Sequence, residues 1–285
     1  MRVYKKKRDF LYASAFLSMS LIGIVVFYGW AFMIVLHKSF VTFQGKYGIS
    51  NYIEVLENKA FWLAMKNTGC FMAACIPLLL ILSLAVALIL KKVSPLNQFL
   101  KKGFLIPLAI PASAVIFLWN LLLDNHGILN GMIAKMGLSQ VNWMDSKGLF
   151  WILVVIFLWK NLGYYVILWV TALCQIPQEI YEAARIDGAG KWRIFVNITV
   201  PQLQSAGYYI ILFSIISGFR IFREIYIVAG DYPGNNIYMI QHLLSNWYRD
   251  MDVSKLSAAT ILLVGIIMIM VSLIKWRMKG NQEEL

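Results

Sequence analysis

Six long apolar runs constrain the fold of this chain more than any other feature. Each has roughly the 20 residues that a helix needs to cross the hydrocarbon core of a membrane, at about 1.5 Å per residue. Only helices or closed barrels satisfy their own backbone hydrogen bonds in lipid. These runs are too long for barrel strands, and apolar and polar residues do not alternate along them. The sequence therefore predicts an all-α integral membrane protein, a six-helix bundle. The runs are Leu11 to Leu36, Thr68 to Leu90, Phe104 to Leu123, Leu149 to Leu173, Ser205 to Val228 and Ala258 to Ile274.

The composition supports the membrane class. Of the 285 residues, 60% are hydrophobic and only 14% are charged, which is far from the balance of a soluble domain. No repeat, low-complexity tract or long polar insertion separates the runs. We therefore predict one transmembrane domain over residues 1–285, with a basic tail at 1–10 and a second tail at 275–285.

The distribution of Lys and Arg predicts the orientation, because cytoplasmic connections carry an excess of basic residues. With six spans, fifteen basic residues fall on the face that carries both termini and the connection 177–201, and eight fall on the other face in longer loops. Both termini and this connection are therefore predicted to be cytoplasmic. Membrane topology and contact with lipid headgroups explain the net charge of +12 better than nucleic-acid binding does. No basic helix or aromatic platform for nucleic acid accompanies the charge.

The connection 177–201 is the elaborate polar segment of the chain. Pro177 suits the start of a helix, and Glu182 lies early in that helix, where the helix dipole favours a carboxylate. Gly188 and Gly190 then predict a turn that residues with a β-carbon resist, followed by a second short helix. A helix-turn-helix element of this kind suits docking into a groove of another protein, and it equally suits an interfacial connector resting on lipid.

The residues of this connection carry a specific resemblance. Glu182-Ala183-Ala184 is followed by Asp187-Gly188-Ala189, and the series resembles the cytoplasmic loop of binding-protein-dependent ABC importer permeases, in its carbohydrate branch. In that family the loop is a coupling helix seated in a cleft of the ATP-hydrolysing subunit. The resemblance implies a type I ABC importer transmembrane domain with a cytoplasmic coupling helix. The ATPase-coupling residues that it implies are Glu182, Ala183, Ala184, Asp187, Gly188, Ala189, Phe195 and Pro201.

The resemblance extends over nearly the whole chain and favours the first of the two permease types that usually pair. Phe222-Arg223-Glu224-Ile225-Tyr226 departs from the more usual Phe-Asp pattern of the family and leaves the substrate open. The matching landmarks are Asn51-Tyr52, Phe61-Trp62, Asn67-Thr68, Pro107, Pro111, Trp119, Gly127-Ile128-Leu129-Asn130, Trp143, Trp159-Lys160, Gly163 and Gln175-Ile176-Pro177.

The sequence has no G-x-x-x-x-G-K-[ST] phosphate loop. We therefore expect a transport subunit and not an enzyme, with no cofactor or metal on this chain and with ATP and Mg on separate ATPase subunits. The resemblance implies a heterodimer with a second permease subunit, two ATPase subunits and an extracytoplasmic sugar-binding protein. It also implies the cytoplasmic (inner) membrane of a prokaryote and transport by alternating access.

Polar residues inside the apolar runs are candidate pathway residues, because a charge at membrane depth is costly unless it faces protein or a water-filled cavity. Aromatic rings beside hydrogen-bonding groups suit sugar faces, although aromatics near span ends also anchor helices at the interface. Arg220 and Glu224 are four residues apart and are alternatively predicted to pair with each other. The candidates are Trp119, Asn120, Trp159, Lys160, Asn161, Tyr164, Tyr165, Arg220, Arg223 and Glu224.

The resulting hypothesis is a permease subunit for a carbohydrate, in particular an oligosaccharide or another glycoside. One alternative is an anionic sugar or a glycerol-phosphate-type solute, which Lys160, Arg220 and Arg223 suggest. A second alternative is a membrane-embedded enzyme, which requires a nucleophile or metal constellation that the sequence does not contain.

Overall fold

The computed structural model describes residue 14 and residues 17–42, 45–91, 94–141, 143 and 148–283. The basic tail predicted at 1–10, the start of the first apolar run and residues 284–285 lie outside the described residues. The described chain is nearly all helical, which confirms the all-α class. Its helices are α1 Leu17–Ser39, α2 Ser50–Glu57, α3 Lys59–Leu90, α4 Pro95–Gly103, α5 Ile106–Ala109, α6 Ala112–Leu123, α7 Ile128–Lys135, α8 Leu149–Cys174, α9 Gln178–Ile186, α10 Lys191–Ile194, α11 Val200–Gln202, α12 Gln204–Arg220, α13 Phe222–Ala229, α14 Ile240–Arg249 and α15 Val253–Glu283.

Four of these helices, α1, α3, α8 and α15, are long and apolar enough to cross a membrane. They contain the second, fourth and sixth predicted runs and the described part of the first. α3 begins at Lys59, nine residues before the predicted run, and α15 begins at Val253, five residues before it. Both helices therefore extend past the apolar stretch into a more polar segment.

The third predicted run, 104–123, is not one straight helix. The helical stretches Pro95–Ala109 and Ser113–Lys135 meet at an angle of 94°. Ile110 is extended, with φ −74° and ψ 129°, because the ring of Pro111 disfavours the helical conformation of the residue before it. The two helical stretches therefore form a bent pair and not one straight helix, and the span itself stays a prediction.

The fifth predicted run, 205–228, is also interrupted. It divides at Ile221 into α12, with 17 residues, and α13, with 8 residues. Ile221 has φ −60° and ψ −22°, which lies in the range of the tighter 3₁₀ conformation. The prediction of one uninterrupted helix is therefore wrong, and the break separates Arg220 from Glu224.

The chain forms two compact units. The single transmembrane domain over residues 1–285 stays a prediction. The first unit comprises residues 1–61 and 244–268. In it, the side-chain amide of Asn51 donates to the backbone oxygens of Ser39 at 2.9 Å and Val41 at 3.0 Å. The Ser254 hydroxyl also donates to the Val41 oxygen, at 2.9 Å. These bonds hold the segment after α1 against α2 and the start of α15.

The second unit comprises residues 62–243 and 269–285, and α8 lies at its centre. The rings of Phe71 and Phe157 pack edge to face with centroids 5.6 Å apart. The buried indole of Trp169 donates from Nε1 to the Ser83 hydroxyl at 3.1 Å. Because an unpaired indole N–H is costly when buried, this bond lets Trp169 fill the interface between α8 and α3.

A glycine on α8 permits a close backbone crossing. A β-carbon added at Gly163 would lie 1.7 Å from the carbonyl oxygen of Phe104, which is far inside van der Waals contact. Only glycine fits this position without a shift of the backbone. The crossing sets the residues after α4 against the middle of α8, next to the cavity described below.

Candidate functional site

The segment after Pro177 folds as a capped helix followed by a turn and further short helical segments. α9 ends at Ile186, and Gly188 follows with a left-handed φ of +78°. The Ala189 N–H donates to the Ala184 oxygen at 2.9 Å, and the Gly188 N–H donates to the Arg185 oxygen at 3.0 Å. This pair of bonds is a Schellman motif, in which a glycine after the helix satisfies the last carbonyls. The local sequence therefore builds a rigid turn.

Tyr181 anchors α9 to the rest of the second unit. Its side chain is 6% exposed, and its hydroxyl lies 3.2 Å from the hydroxyl of Thr199. The ammonium of Lys91, just after α3, lies 5.1 Å from the centre of the Tyr181 ring. A cation over the face of an aromatic ring attracts it electrostatically. One aromatic side chain thus connects α9 both to the end of α3 and to the segment that precedes α12.

The structure divides the predicted coupling residues into two groups. Glu182, Ala183, Asp187 and Gly188 are exposed, so they are accessible to a partner. The others are half-buried, and two of them, Ala184 and Ala189, pack against the hydrophobic core. These half-buried residues are Ala184, Ala189, Phe195 and Pro201.

Two exposed apolar side chains beside this group were not among the predicted coupling residues. Ile186 is 86% exposed and Trp192 is 76% exposed. The sequence does carry a signal for Ile186, because a helix turns about 100° per residue and residues five positions apart cannot share a face. With Tyr181 buried, Ile186 must point away from the bundle. Val196 is exposed as well, whereas Thr199 is buried.

A cavity of about 790 Å³ lies within the second unit, and its size falls in the range of small-molecule sites. Five predicted pathway residues line it together: Lys160, Asn161, Arg220, Arg223 and Glu224. The bend at Pro111 brings residues 108–111 to its wall. The two broken runs and the middle of α8 thus build the same site.

The Lys160 ammonium on α8 forms an ion pair with the Glu224 carboxylate on α13. Their side chains are 17% and 7% exposed, so each charge is largely removed from water. The alternative prediction that Glu224 pairs with Arg220 is wrong, because the break at Ile221 ends the helical repeat and Glu224 contacts α8 instead. The pair neutralises one positive charge of the cavity wall.

Arg220 and Arg223 line the same cavity on either side of Ile221. Both side chains are exposed, and within the described ranges neither forms an ion pair with a carboxylate. Ser217, Asn161 and Gln241 add uncharged hydrogen-bonding groups to the wall. The site therefore presents two guanidinium groups among neutral polar side chains.

The remaining predicted pathway residues lie outside this cavity. Trp119 and Trp159 pack edge to face with centroids 6.0 Å apart, and the buried Trp119 Nε1 has no hydrogen-bond partner among the described residues. Asn120 is exposed on α6. Tyr165 is buried and donates its hydroxyl to Ser217 at 3.0 Å, and Tyr164 packs against its ring. Three aromatic residues line the cavity: Phe157, Phe222 and Tyr226. None of them is among the predicted pathway residues, although Phe222 and Tyr226 belong to the stretch that departs from the family pattern.

A second cavity of about 440 Å³ lies farther along α8 and α12. Its polar wall is uncharged and includes Thr171, Gln175 and Tyr209. The edge-to-face contact of Tyr164 and Phe213, with centroids 6.5 Å apart, lies beside it. The same two helices therefore line a charged cavity at one end and a neutral one at the other.

Comparison with known proteins gives consistent results. A sequence model of the family described as "Binding-protein-dependent transport system inner membrane component" matches residues 71–277. The chain is 30% identical over 266 residues to the "Trehalose/maltose transport system permease protein MalF" of Thermococcus litoralis, covering 92% of this chain and 90% of that relative. It is 29% identical over 241 residues to the "Arabinooligosaccharides transport system permease protein AraP" of Bacillus subtilis, covering 82% and 76%.

A solved structure shares the fold. It is the crystal structure of a bacterial alginate ABC transporter in complex with an alginate pentasaccharide-bound periplasmic protein. Its matching chain superposes with a TM-score of 0.81 over 96% of both chains, at 21% sequence identity. The architecture described above is therefore shared over nearly the full length of both chains.

Proposed function

Because the chain belongs to the family of binding-protein-dependent transport system inner membrane components, we propose that it is the permease subunit of an ATP-driven importer that carries a carbohydrate across the membrane. It is a multi-pass membrane protein and a transport subunit, not an enzyme. ATP hydrolysis takes place on separate subunits. Two relatives are named for the transport of trehalose and maltose or of arabinooligosaccharides, and these names support a saccharide as the transported solute.

The turn at Gly188 is the observation that carries the proposed mechanism. The Schellman motif and the Tyr181 anchor make the segment stiff, while Glu182, Ala183 and Asp187 stay exposed. A stiff element attached to the bundle transmits a push from a partner without folding away. In the proposed cycle, closure of the ATPase subunits moves this segment and tips the bundle between outward and inward openings. Each ligand shifts that equilibrium only by its differential affinity for the two states.

The importer includes an extracytoplasmic binding protein and ATP-hydrolysing subunits. We further propose a heterodimer with a second permease subunit and two ATPase subunits that bind ATP and Mg. In this arrangement Glu182 and Gly188 lie at the contact with the ATPase. Both termini and the segment 177–201 lie on the cytoplasmic side, in agreement with the distribution of basic residues.

Two substitutions test the role of the segment. Glu182→Lys reverses an exposed charge without changing a buried contact, and Gly188→Arg adds a bulky charge to the turn. Both are expected to abolish uptake of labelled saccharide while the importer still inserts into the membrane. Glu57→Lys, a charge reversal at an exposed residue of α2, is the matched control and should retain uptake. Normal uptake by Glu182→Lys and Gly188→Arg at wild-type abundance would contradict the proposal that this segment couples the ATPase subunits to transport.

The side of the membrane is tested by labelling. Cys70 and Cys174 are exposed and are first replaced by Ser, after which Ala183→Cys introduces one reporter thiol. A membrane-impermeant maleimide is expected to label this thiol in inside-out vesicles and not in intact cells. Labelling in intact cells contradicts the cytoplasmic assignment.

A further inference from the structure

The wall of the cavity between α8, α12 and α13 carries a net positive charge. Four charged residues line the cavity, and three of them are basic: Lys160, Arg220 and Arg223. Glu224 is the acidic one and pairs with Lys160. Two positive charges therefore remain on the wall after internal pairing.

Both remaining charges are guanidinium groups. Arg is permanently charged at any relevant pH, so Arg220 and Arg223 cannot neutralise themselves by losing a proton. A charge inside a membrane-spanning region is costly unless it pairs or faces water. The two residues lie in the fifth apolar run and face the cavity. Both side chains are exposed, so the cost arises when a bound solute displaces the water around them. A solute that brings negative charge would replace this water with an ion pair, whereas a neutral one would leave both charges unpaired.

The rest of the wall suits the body of a saccharide. Ser217, Asn161, Gln241 and Tyr226 offer hydroxyl, amide and phenol groups that suit sugar hydroxyls. The guanidinium fork matches planar carboxylates and phosphates through paired N–H bonds. One cavity thus combines groups for neutral hydroxyls with groups for an oxyanion.

From this geometry we infer that the transported saccharide is acidic and that Arg220 and Arg223 bind its oxyanion, a uronate carboxylate or a phosphate, during passage. The inference rests on the proposed function and specifies its substrate class. The Lys160–Glu224 pair is not a ligand in this assignment. It holds α13 against α8, so that the two guanidinium groups stay on the wall.

Uptake by cells that carry the complete importer tests the assignment. Labelled trigalacturonate, glucose 6-phosphate and maltotriose serve as the uronate, phosphate and neutral probes. The wild type is expected to import trigalacturonate or glucose 6-phosphate at least tenfold faster than maltotriose, and the preferred acid identifies the oxyanion. For the preferred acid, Arg220→Gln/Arg223→Gln is expected to lower uptake by about tenfold or more, since hydrogen bonds between two charged groups are stronger than those between neutral groups. Arg220→Lys/Arg223→Lys should restore part of it.

The controls separate loss of binding from loss of assembly. Lys135→Gln removes an exposed basic charge outside the cavity and should leave uptake of the acid unchanged. The amount of assembled importer and its ATPase rate without substrate should be the same in wild type and the double Gln variant. A double Gln variant that assembles and still imports the acid at the wild-type rate overturns the assignment.

The remaining outcomes distinguish this inference from the proposed function. Import of maltotriose without import of either acid overturns the acidic substrate and leaves the carbohydrate permease intact. Failure to import any of the three saccharides counts against both, provided that the importer is assembled and hydrolyses ATP. The two claims therefore fail through different measurements.

Discussion

Lys160 on α8 and Glu224 on α13 form an ion pair that joins the middle of the fourth apolar run to the second half of the broken fifth run. They are 64 residues apart in the chain. The contact sets one wall of the 790 Å³ cavity and leaves Arg220 and Arg223 on that wall without a carboxylate among the described residues.

Removal of one partner of this pair is expected to destabilise the importer. Glu224→Gln leaves the Lys160 ammonium largely out of water without its counter-ion, a change that costs about 3 kcal/mol or more in comparable sites. The melting temperature of the detergent-purified importer should fall clearly. Lys160→Met/Glu224→Leu should recover much of the loss, because neither charge then remains.

The exposed pair of Lys255 and Glu54 provides the control. Its atoms are 3.2 Å apart, but the two side chains are 33% and 52% exposed. Exposed pairs contribute about 0–1 kcal/mol, so Glu54→Gln should leave the melting temperature nearly unchanged. Equal effects of Glu54→Gln and Glu224→Gln contradict the role assigned to burial.

The backbone crossing at Gly163 predicts a second sharp contrast. Gly163→Ala places a β-carbon 1.7 Å from the Phe104 carbonyl oxygen and must push α8 and that segment apart, at a cost of about 1–3 kcal/mol or more. Gly69→Ala is the matched helical control, because nothing lies within 4 Å of its added β-carbon. Thermal unfolding should show a loss for Gly163→Ala and no loss for Gly69→Ala. A Gly163→Ala importer as stable as the wild type would show that the crossing is looser than described.

The Tyr181 hydroxyl is expected to matter for coupling more than for assembly. Tyr181→Phe keeps the ring beneath Lys91 but removes the contact with Thr199, worth about 1 kcal/mol. We expect assembled importer at the wild-type level, with less saccharide imported per ATP hydrolysed. Tyr232→Phe, at an exposed tyrosine, should leave that ratio unchanged. An unaltered ratio in Tyr181→Phe excludes the hydroxyl from the coupling path.

His242 predicts a stability change with pH. The residue lies on α14, which is not one of the helices of membrane-spanning length, and its side chain is fully buried. Burial lowers the pKa of His242 to about 4 from an ordinary 6.5, although the Asp231 carboxylate favours the charged form. The Met239 N–H donates to its Nδ1 at 3.2 Å, which requires the neutral ring.

The sign follows from proton binding. Between pH 6.5 and 4 the unfolded chain takes up a proton that the folded chain does not, so this contribution to stability is full above pH 6.5 and is lost as the pH falls. Between pH 6.5 and 5 the loss is about 2 kcal/mol, at about 1.4 kcal/mol per pH unit. The melting temperature should fall over this range by less in His242→Gln than in the wild type. Parallel pH profiles would rule out His242 as the source.

Local signals in the sequence predicted some parts of the site correctly. The turn after α9 follows from one glycine, because a left-handed φ is a property of a single residue, and Gly188 has it. Six spans were predicted from the apolar runs, and four of them coincide with helices of membrane-spanning length, because length and hydropathy are local properties. The break at Ile110 had a visible cause in Pro111, yet hydropathy alone does not register a bend. Neither glycine nor proline stands next to Ile221, so no local signal in the sequence predicts the break there.

The sequence by itself determined the membrane class, the family and the place of the capped turn, since each depends on residues that are neighbours in the chain. Only the tertiary structure decided that Glu224 pairs with Lys160 and not with Arg220, that Tyr181 holds the turn to α3, and that two arginines share one cavity wall. Helical spacing predicts a partner one turn away. Packing between helices decides which residue pairs with a buried charge, and the spacing of residues within one helix does not encode that packing.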